Sequence, residues 1–99
     1  MNESPLRFEW NEDKAARNET QHRITFQEAA TVFDDPNAYT SMDESHSDEE
    51  LREIAIGFSN HNRLLFVVFV ERLANLIRLI SARKTTPQER KRYEQANKT

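Results

Sequence analysis

The longest apolar run of the chain predicts a β-hairpin at the centre of the fold. Residues 64–70 read LLFVVFV and are apolar at every position. β-Branched and aromatic side chains dominate the run, which favours a strand with both faces buried. A second apolar strand, 76–83, follows after a short polar turn. Strict alternation predicts that one face of this strand carries Leu76, Arg78, Ile80 and Ala82, and the other Ile77, Leu79, Ser81 and Arg83.

The two halves of the chain carry opposite charge. Residues 1–50 hold 4 Lys/Arg and 13 Asp/Glu, whereas residues 51–99 hold 10 Lys/Arg and 4 Asp/Glu. The first half therefore has a net charge of −9 and the second half of +6, a difference that the total net charge of −3 does not show. A basic half favours a phosphate-binding face. The alternative is that the halves pair with each other or stay solvated.

Local signals before the hairpin predict a strand and two helices. The alternating segment Leu6–Trp10 favours an edge strand. Asn11 is expected to cap a helix that ends near Gln21. A capping box at Thr25–Glu28 begins a second helix, which the turn residues 34–37 end.

The remaining segments complete an α+β order of elements. A short strand is expected over 38–42, an acidic loop over 43–50 and a strand over 51–59. Gly57, the only glycine, indicates a bulge or the close approach of another backbone. A capping box at Thr86–Glu89 begins a polar C-terminal helix. We therefore predict an antiparallel sheet with two N-terminal helices and one C-terminal helix.

Composition limits the classes of function. A chain of 99 residues predicts one domain, 1–99. The absence of cysteine excludes thiol catalysis and cysteine-ligated zinc, and a single glycine excludes a Walker loop or dinucleotide fingerprint. No convincing set of metal ligands occurs, so we expect neither a metal nor a cofactor. No apolar segment is long enough to span a bilayer or to act as a signal, which predicts a cytoplasmic protein.

Histidines are the first candidates for acid–base chemistry. His22 lies at a predicted helix C-terminus, where the helix dipole favours its protonated form, although a capping or packing role is the alternative. Asp43 and His46 are spaced to orient an imidazole or meet a metal, but an exposed loop is the favoured interpretation. His61 lies in a turn and has no identifiable partner.

The cations point more strongly to phosphate chemistry. RNA cleavage through the 2′-hydroxyl needs an activated nucleophile, a stabilised phosphate and a protonated leaving group. An Arg/Lys/His cluster supplies all three without a metal. The alternative is that the arginines pair with the acidic half or lie along the sheet. The cations on or beside the predicted sheet are Arg52, Arg63, Arg72, Arg78, Arg83 and Lys84.

A series of short motifs then runs along nearly the whole chain. They are Phe8-x-Trp10, Lys14-x-x-x-Asn18, His22-x-x-x-Phe26, Ala29-Ala30-x-Val32-Phe33-x-Asp35, Asp43-x-x-His46, Arg52-x-Ile54-x-Ile56-Gly57, Val67-Val68-Phe69-x-Glu71-Arg72, Ile77-Arg78-x-Ile80-Ser81-Ala82-Arg83 and Glu89-Arg90-x-x-Tyr93. In this order and spacing they resemble BrnT-type toxins, the ribonuclease half of a bacterial type II toxin–antitoxin pair. Where that family usually reads Lys-His-Gly, this chain reads Gln21-His22-Arg23.

The resemblance implies a compact α+β fold similar to RelE-like ribonucleases and RNA cleavage that inhibits translation. It also implies neutralisation by a BrnA-type antitoxin with a ribbon-helix-helix domain, through which alone operator DNA would be bound. The resemblance further implies that the toxin forms a homodimer within a larger toxin–antitoxin assembly.

Together these observations give a leading hypothesis of a metal-independent endoribonuclease. Arg72 and Arg83, with Lys14, would stabilise the scissile phosphate, and His22 would transfer protons. Glu71 is the candidate base, and Ser81 would position a phosphate oxygen. Further RNA contacts are expected from Arg52, Arg78 and Lys84. The alternatives are a non-catalytic module that binds nucleic acid or protein through the basic half, and a pure interaction subunit.

Overall fold

A computed structural model describes residues 5–43 and 51–98 of the chain. These residues form a five-stranded sheet and three α-helices, with a 3-10 turn after the second helix. The elements are β1 (Arg7–Glu9), α1 (Glu12–His22), α2 (Phe26–Ala30), the 3-10 turn (Thr31–Asp34), β2 (Tyr39–Met42), β3 (Glu53–Phe58), β4 (Leu64–Leu73), β5 (Leu76–Lys84) and α3 (Pro87–Ala96).

The predicted hairpin of β4 and β5 lies at the centre of a mixed sheet. The strand order is β1-β5-β4-β3-β2, and β1 alone runs parallel to its neighbour. The prediction of an α+β fold is confirmed, but the prediction of an antiparallel sheet is wrong at the β1 edge. β1 pairs with the last strand, so tertiary packing sets its direction: Phe8 lies beside Ile77 and packs against the core.

A β-bulge in the hairpin overturns the predicted faces of β5. Val68 pairs with Ser81 and Phe69 with Leu79, which leaves Ile80 as the extra residue. Beyond Ile80 the alternation is therefore reversed. Ala82 joins Ile77 and Leu79 in the main core, while Ser81 and Arg83 share the opposite face with Arg78.

The helices α1 and α2 cover one face of the sheet, which we call the covered face. Phe26, Ala29 and Val32 pack there against side chains from three strands, including Val67 and Leu79. Aromatic contacts extend this core, since the ring of Phe33 lies 5.4 Å from that of Phe8 and 5.0 Å from that of Phe69. Burial on this scale supplies most of the driving force for folding.

The helix α3 lies against the other face, which we call the second face. Tyr93 packs with Ile54, Ile56 and Leu64, and its ring meets that of Phe58 edge-on at 5.5 Å. The predicted capping box is confirmed, with Pro87 in the first turn. This small cluster is what attaches the basic C-terminal helix to the sheet.

Both other predicted helix starts are capped as expected, with one difference. The Asn11 side chain accepts from the Lys14 N–H at 2.9 Å, and Thr25 Oγ1 accepts from the Glu28 N–H at 3.0 Å. The Glu28 carboxylate, however, binds Arg63 and Ser59 and does not return to Thr25. Arg23 ends α1 in the left-handed region at φ 61°, a conformation that costs more for arginine than for glycine.

Asp35 ties the 3-10 turn, β3 and α3 together. Its Oδ2 accepts from the Phe58 N–H at 2.9 Å and the Tyr93 hydroxyl at 2.7 Å, and its Oδ1 accepts from the Asn37 N–H at 2.8 Å. Burial alone would raise the pKa of Asp35, but these hydrogen bonds outweigh it and hold the pKa below its usual range. Burial and the Asp35 carboxylate raise the pKa of Tyr93 to about 12.

Gly57 makes room for neighbouring side chains, whereas the sequence predicted a bulge or the close approach of another backbone. A Cβ at this position would lie 3.0 Å from Val32 Cγ1, 3.1 Å from the Ala38 Cβ and 3.2 Å from Asp35 Oδ2. Any larger residue would therefore push on the Asp35 network.

None of the described helices is long and apolar enough to cross a membrane.

Candidate nucleic-acid interface

Arg83 occupies the second face of β5 and is held by two neighbours. Its guanidinium carbon lies 4.0 Å from the centre of the Phe66 ring, and Nη1 and Nη2 each donate to the Glu89 carboxylate at 2.9 Å. Burial alone would raise the pKa of Glu89, but the Arg83 guanidinium and the Thr86 N–H lower it overall. Arg83 is therefore fixed in position by the first turn of α3.

The hydrogen bonds of Arg83 leave one edge of its guanidinium available. Arginine has five N–H donors. Two go to Glu89 and one, from Nη1, to the Lys84 carbonyl at 3.1 Å. Among the described residues, Nε–H and one Nη2–H have no acceptor. These two donors point the same way and match the two oxygens of a phosphate.

Arg78 and Arg72 gather around a different carboxylate. Glu9 Oε2 lies 3.2 Å from Arg78 Nη1 and 3.9 Å from Arg72 Nε. Glu71, Arg72 and Glu9 also line a groove of about 560 Å³ beside the β4–β5 turn. Leu73, 65% exposed, forms an apolar wall of that groove.

The structure does not bring Arg72 and Arg83 to one place. Arg72 lies beside the turn end of the hairpin, whereas Arg83 lies near the opposite end of β5. At ~3.3 Å per residue, their Cα atoms are roughly 20 Å apart. The predicted site residues thus separate into a turn-end group of Glu71, Arg72 and Arg78, and a second group around Arg83.

Asn18 places α1 against the second group. Its Nδ2 donates to the Ala82 carbonyl, and its Oδ1 accepts from the Ala82 N–H, at 2.9 Å and 3.0 Å. The buried amide thereby takes the place of a neighbouring strand on the edge of β5 beyond β1. Sequence reasoning quoted Asn18 within a motif and assigned it no role. The one sequence feature that could have pointed to Asn18 is its place as a polar residue near the few alanines through which this helix packs.

Lys14 and His22 lie one turn before and one turn after Asn18 on the same side of α1. Both side chains are exposed. Because Asn18 contacts the residue between Ser81 and Arg83, His22 is brought beside the C-terminal part of β5. Lys14 and His22 thus stand on the helix side of this sheet edge, while Ser81 and Arg83 lie on the second face of the same strand.

An ion pair between half-buried Arg63 and buried Glu28 supports the same end of the molecule. The Arg63 guanidinium donates to Glu28, which is 5% exposed and also accepts from Ser59 Oγ at 2.6 Å. The hydrogen bonds from Arg63 lower the pKa of Glu28 despite its burial. Arg63 Nη2 also donates to the Arg23 carbonyl at 3.3 Å, which joins the end of α1 to the start of β4.

Two predicted positions remain apart from these groups. Arg52 is half-buried just before β3, and its carbonyl accepts from the Asp43 N–H at 2.8 Å. Asp43 is buried, while its predicted partner His46 lies outside the described residues. Most of the predicted acidic loop, 44–50, lies outside them as well.

A small α+β domain with clustered cations beside a sheet edge is typical of proteins that bind nucleic acid. The family model described as "Ribonuclease toxin, BrnT, of type II toxin-antitoxin system" matches residues 10–89. Because this match covers most of the chain, the protein belongs to the BrnT family of ribonuclease toxins, as the motifs had indicated. That family membership implies an antitoxin partner.

The fold agrees with a solved member of that family. The 1.1 Å crystal structure of the Brucella abortus ribonuclease toxin BrnT matches with a TM-score of 0.61 at 22% sequence identity. The match covers 82% of this chain and 97% of the Brucella chain. No curated protein sequence matches this chain.

Proposed function

We propose that this protein is an endoribonuclease toxin that cleaves RNA without a metal ion and so inhibits translation. One observation carries the proposal. The paired hydrogen bonds between Asn18 and Ala82 join a helix that bears His22 to a strand that bears Ser81 and Arg83. A proton-transfer group on α1 is thereby tied to the strand whose second face bears a hydroxyl and a cation.

Each group has a distinct task in this proposal. The ribose 2′-oxygen attacks the adjacent phosphorus, a new P–O bond forms, and the bond to the 5′-oxygen breaks. His22 takes the proton that leaves the 2′-hydroxyl and gives it to the 5′-oxygen as the bond to phosphorus breaks. The free edge of Arg83 stabilises the charge that builds on the phosphorane, and the Ser81 hydroxyl donates to a phosphate oxygen. Lys14 and Lys84 attract the flanking backbone.

The turn-end group takes a separate role. Arg72 and Arg78 contact RNA away from the scissile bond, and Arg52 contributes positive charge on the same sheet. Glu71 lies with the turn-end group, too far from Arg83 to act on the same phosphate. His22 is therefore the proton-transfer residue of the proposal, and Glu71 borders the distant RNA contact.

We further propose a BrnA-like antitoxin with a ribbon-helix-helix domain as the partner. The toxin would act in the cytoplasm, form a homodimer within the complex, and reach operator DNA only through the antitoxin. Membership of a type II toxin–antitoxin family supports this assignment.

Induced expression in bacteria tests the proposed function. Wild-type protein should stop growth and protein synthesis within minutes, and co-expression of the cognate antitoxin should restore both. Arg83→Ala should relieve the arrest, whereas Arg92→Ala, an exposed arginine on α3, should not. Unimpaired growth with soluble wild-type protein, or arrest by Arg83→Ala equal to wild type, would overturn the proposal.

A non-catalytic RNA-binding module is the second candidate. Residues 51–99 carry a charge of +6, which attracts RNA whether or not any bond is cleaved. Under this alternative, RNA would bind in a salt-dependent way and remain intact.

A further inference from the structure

A cleft beside the proposed reaction centre has cationic walls. It encloses about 390 Å³ between the β3–β4 turn, the end of β5 and the start of α3. That volume is within the range of small-molecule sites, roughly 300–1,000 Å³. Its charged lining side chains are Arg63, Lys84 and Arg90, and no carboxylate from the described residues lines it.

Two of these cations lack an acidic partner. Arg63 is neutralised by Glu28, but neither Lys84 nor Arg90 forms an ion pair within the described part of the chain. Arg90 instead lies over the Phe58 ring at 6.0 Å. The cleft therefore carries an excess of positive charge, which attracts an external anion.

Neutral hydrogen-bonding groups complete the cleft. Asn62, Thr85 and Thr86 add an amide and two hydroxyls to its lining. Thr86 Oγ1 accepts from the Glu89 N–H at 3.2 Å and its hydroxyl faces the Glu89 carboxylate, so Asn62 and Thr85 are the neutral donors that remain for a ligand. Cations combined with neutral O–H and N–H donors suit the oxygens of a phosphate group.

The frame of the cleft is fixed before any ligand arrives. The Thr85 N–H donates to the Leu64 carbonyl at 3.3 Å, and the hydrogen bond of Tyr93 to Asp35 holds α3 on the sheet. Lys84 and Arg90 therefore extend from backbone that is already positioned. Pre-organisation of this kind lowers the entropic cost of binding.

The position of the cleft indicates which phosphate it takes. Arg63 lines the cleft and also donates to the carbonyl of Arg23, the residue after His22. Lys84 directly follows Arg83 on β5. The cleft thus adjoins the proposed reaction centre and is separate from it.

We infer that this cleft is a subsite for a non-scissile phosphodiester of the substrate RNA. The inference rests on the proposed function. It adds Asn62, Arg63 and Arg90 to the residues that contact RNA. Arg90 comes from α3, whose last seven residues lie beyond the 10–89 segment that matches the family.

Binding of an uncleavable RNA tests the subsite. The probe is a fluorescent 2′-O-methyl oligoribonucleotide, which keeps every phosphate and cannot react. Anisotropy over a range of salt gives Kd and its salt dependence for wild type, Lys84→Gln/Arg90→Gln and Lys91→Gln/Arg92→Gln. The second pair removes the same charge from exposed positions on α3 outside the cleft.

The cleft variant should bind about tenfold or more weakly, because it loses charge-assisted contacts. Its slope of log Kd against log salt should fall by ~0.7, the value for one phosphate of a single strand. The control should retain most of the affinity and the wild-type slope. Equal weakening in both variants, or none in the cleft variant, would overturn the subsite.

Cleavage of an unmodified RNA separates this test from that of the proposed function. Wild-type cleavage with equal binding by the two double variants would reject the subsite alone. Selective loss of binding in the cleft variant, with no cleavage by wild type, would support the subsite as a binding site and reject the nuclease.

Discussion

Replacing His22 with alanine is expected to slow RNA cleavage by ~10²–10⁴-fold, the usual contribution of a positioned acid–base group. The side chain is exposed, so the fold should persist. The measurement is the single-turnover cleavage rate of a labelled RNA, with binding of the uncleavable analogue followed in parallel. Because His22 acts on the reacting bond, the rate should fall far more than the affinity.

His61→Ala is the matched control for that prediction. His61 is also exposed and lies in the β3–β4 turn, next to the cleft residue Asn62. Its loss should leave the cleavage rate near that of wild type. A large rate loss in His61→Ala with none in His22→Ala would move the proton-transfer role to the turn and refute the assignment.

Asp35→Asn is expected to lower the free energy of unfolding by about 2 kcal/mol, since a half-buried acceptor with several donors is lost. An amide has one acceptor oxygen, while Asp35 accepts from two backbone N–H groups and the Tyr93 hydroxyl. Whichever way the side-chain amide of the variant is turned, its NH₂ group faces a hydrogen-bond donor, and that hydrogen bond is lost. Urea unfolding followed by circular dichroism measures the change.

The neighbouring Asp34→Asn variant removes the same charge at an exposed position and should change the free energy of unfolding little. The pH dependence provides a second readout. The native pKa of Asp35 lies below its ordinary value of 3.8, so its contribution to stability is present above that pH and is lost as the pH falls. Asp35→Asn should lack this part of the acid sensitivity. Unfolding of Asp35→Asn at the same urea concentration as wild type would contradict the prediction.

The helix starts and the central hairpin could be predicted because their signals are local. Asn11, Thr25 and Thr86 each cap a backbone N–H only three residues further on. The run 64–70 is almost fully buried, as its unbroken apolar character indicated. The motif series likewise identified the family that the family model confirms.

Most of the errors and omissions involve partners distant in sequence, and one is a bulge within the hairpin. The parallel pairing of β1 with β5 joins the two ends of the described fold, and periodicity carries no information on such a pairing. The extra residue Ile80 shifts Arg83 to the other face, although the local sequence is compatible with strict alternation. The contact between Asn18 and Ala82 spans 64 residues, so its role emerges only in three dimensions.

At the candidate site, too, the sequence does not reveal which carboxylates pair with groups on other elements. The sequence predicts Glu28, Asp35 and Glu89 as helix caps or turn residues, whereas in the fold each binds a group on another element. Glu89 matters most for function, because it decides which edge of Arg83 remains available. A charge count along the chain gives the basic half but cannot assign these pairs.

The most direct test of the central claim is incubation of the purified protein with end-labelled RNA in excess EDTA. We predict fragments that end in a 2′,3′-cyclic phosphate, each followed by a fragment with a 5′-hydroxyl, and no such fragments with Arg83→Ala. Metal-free 2′-hydroxyl attack leaves these ends, since no water enters the bond-breaking step. RNA that stays intact at every protein concentration, or cleavage that requires an added divalent metal, would contradict the account.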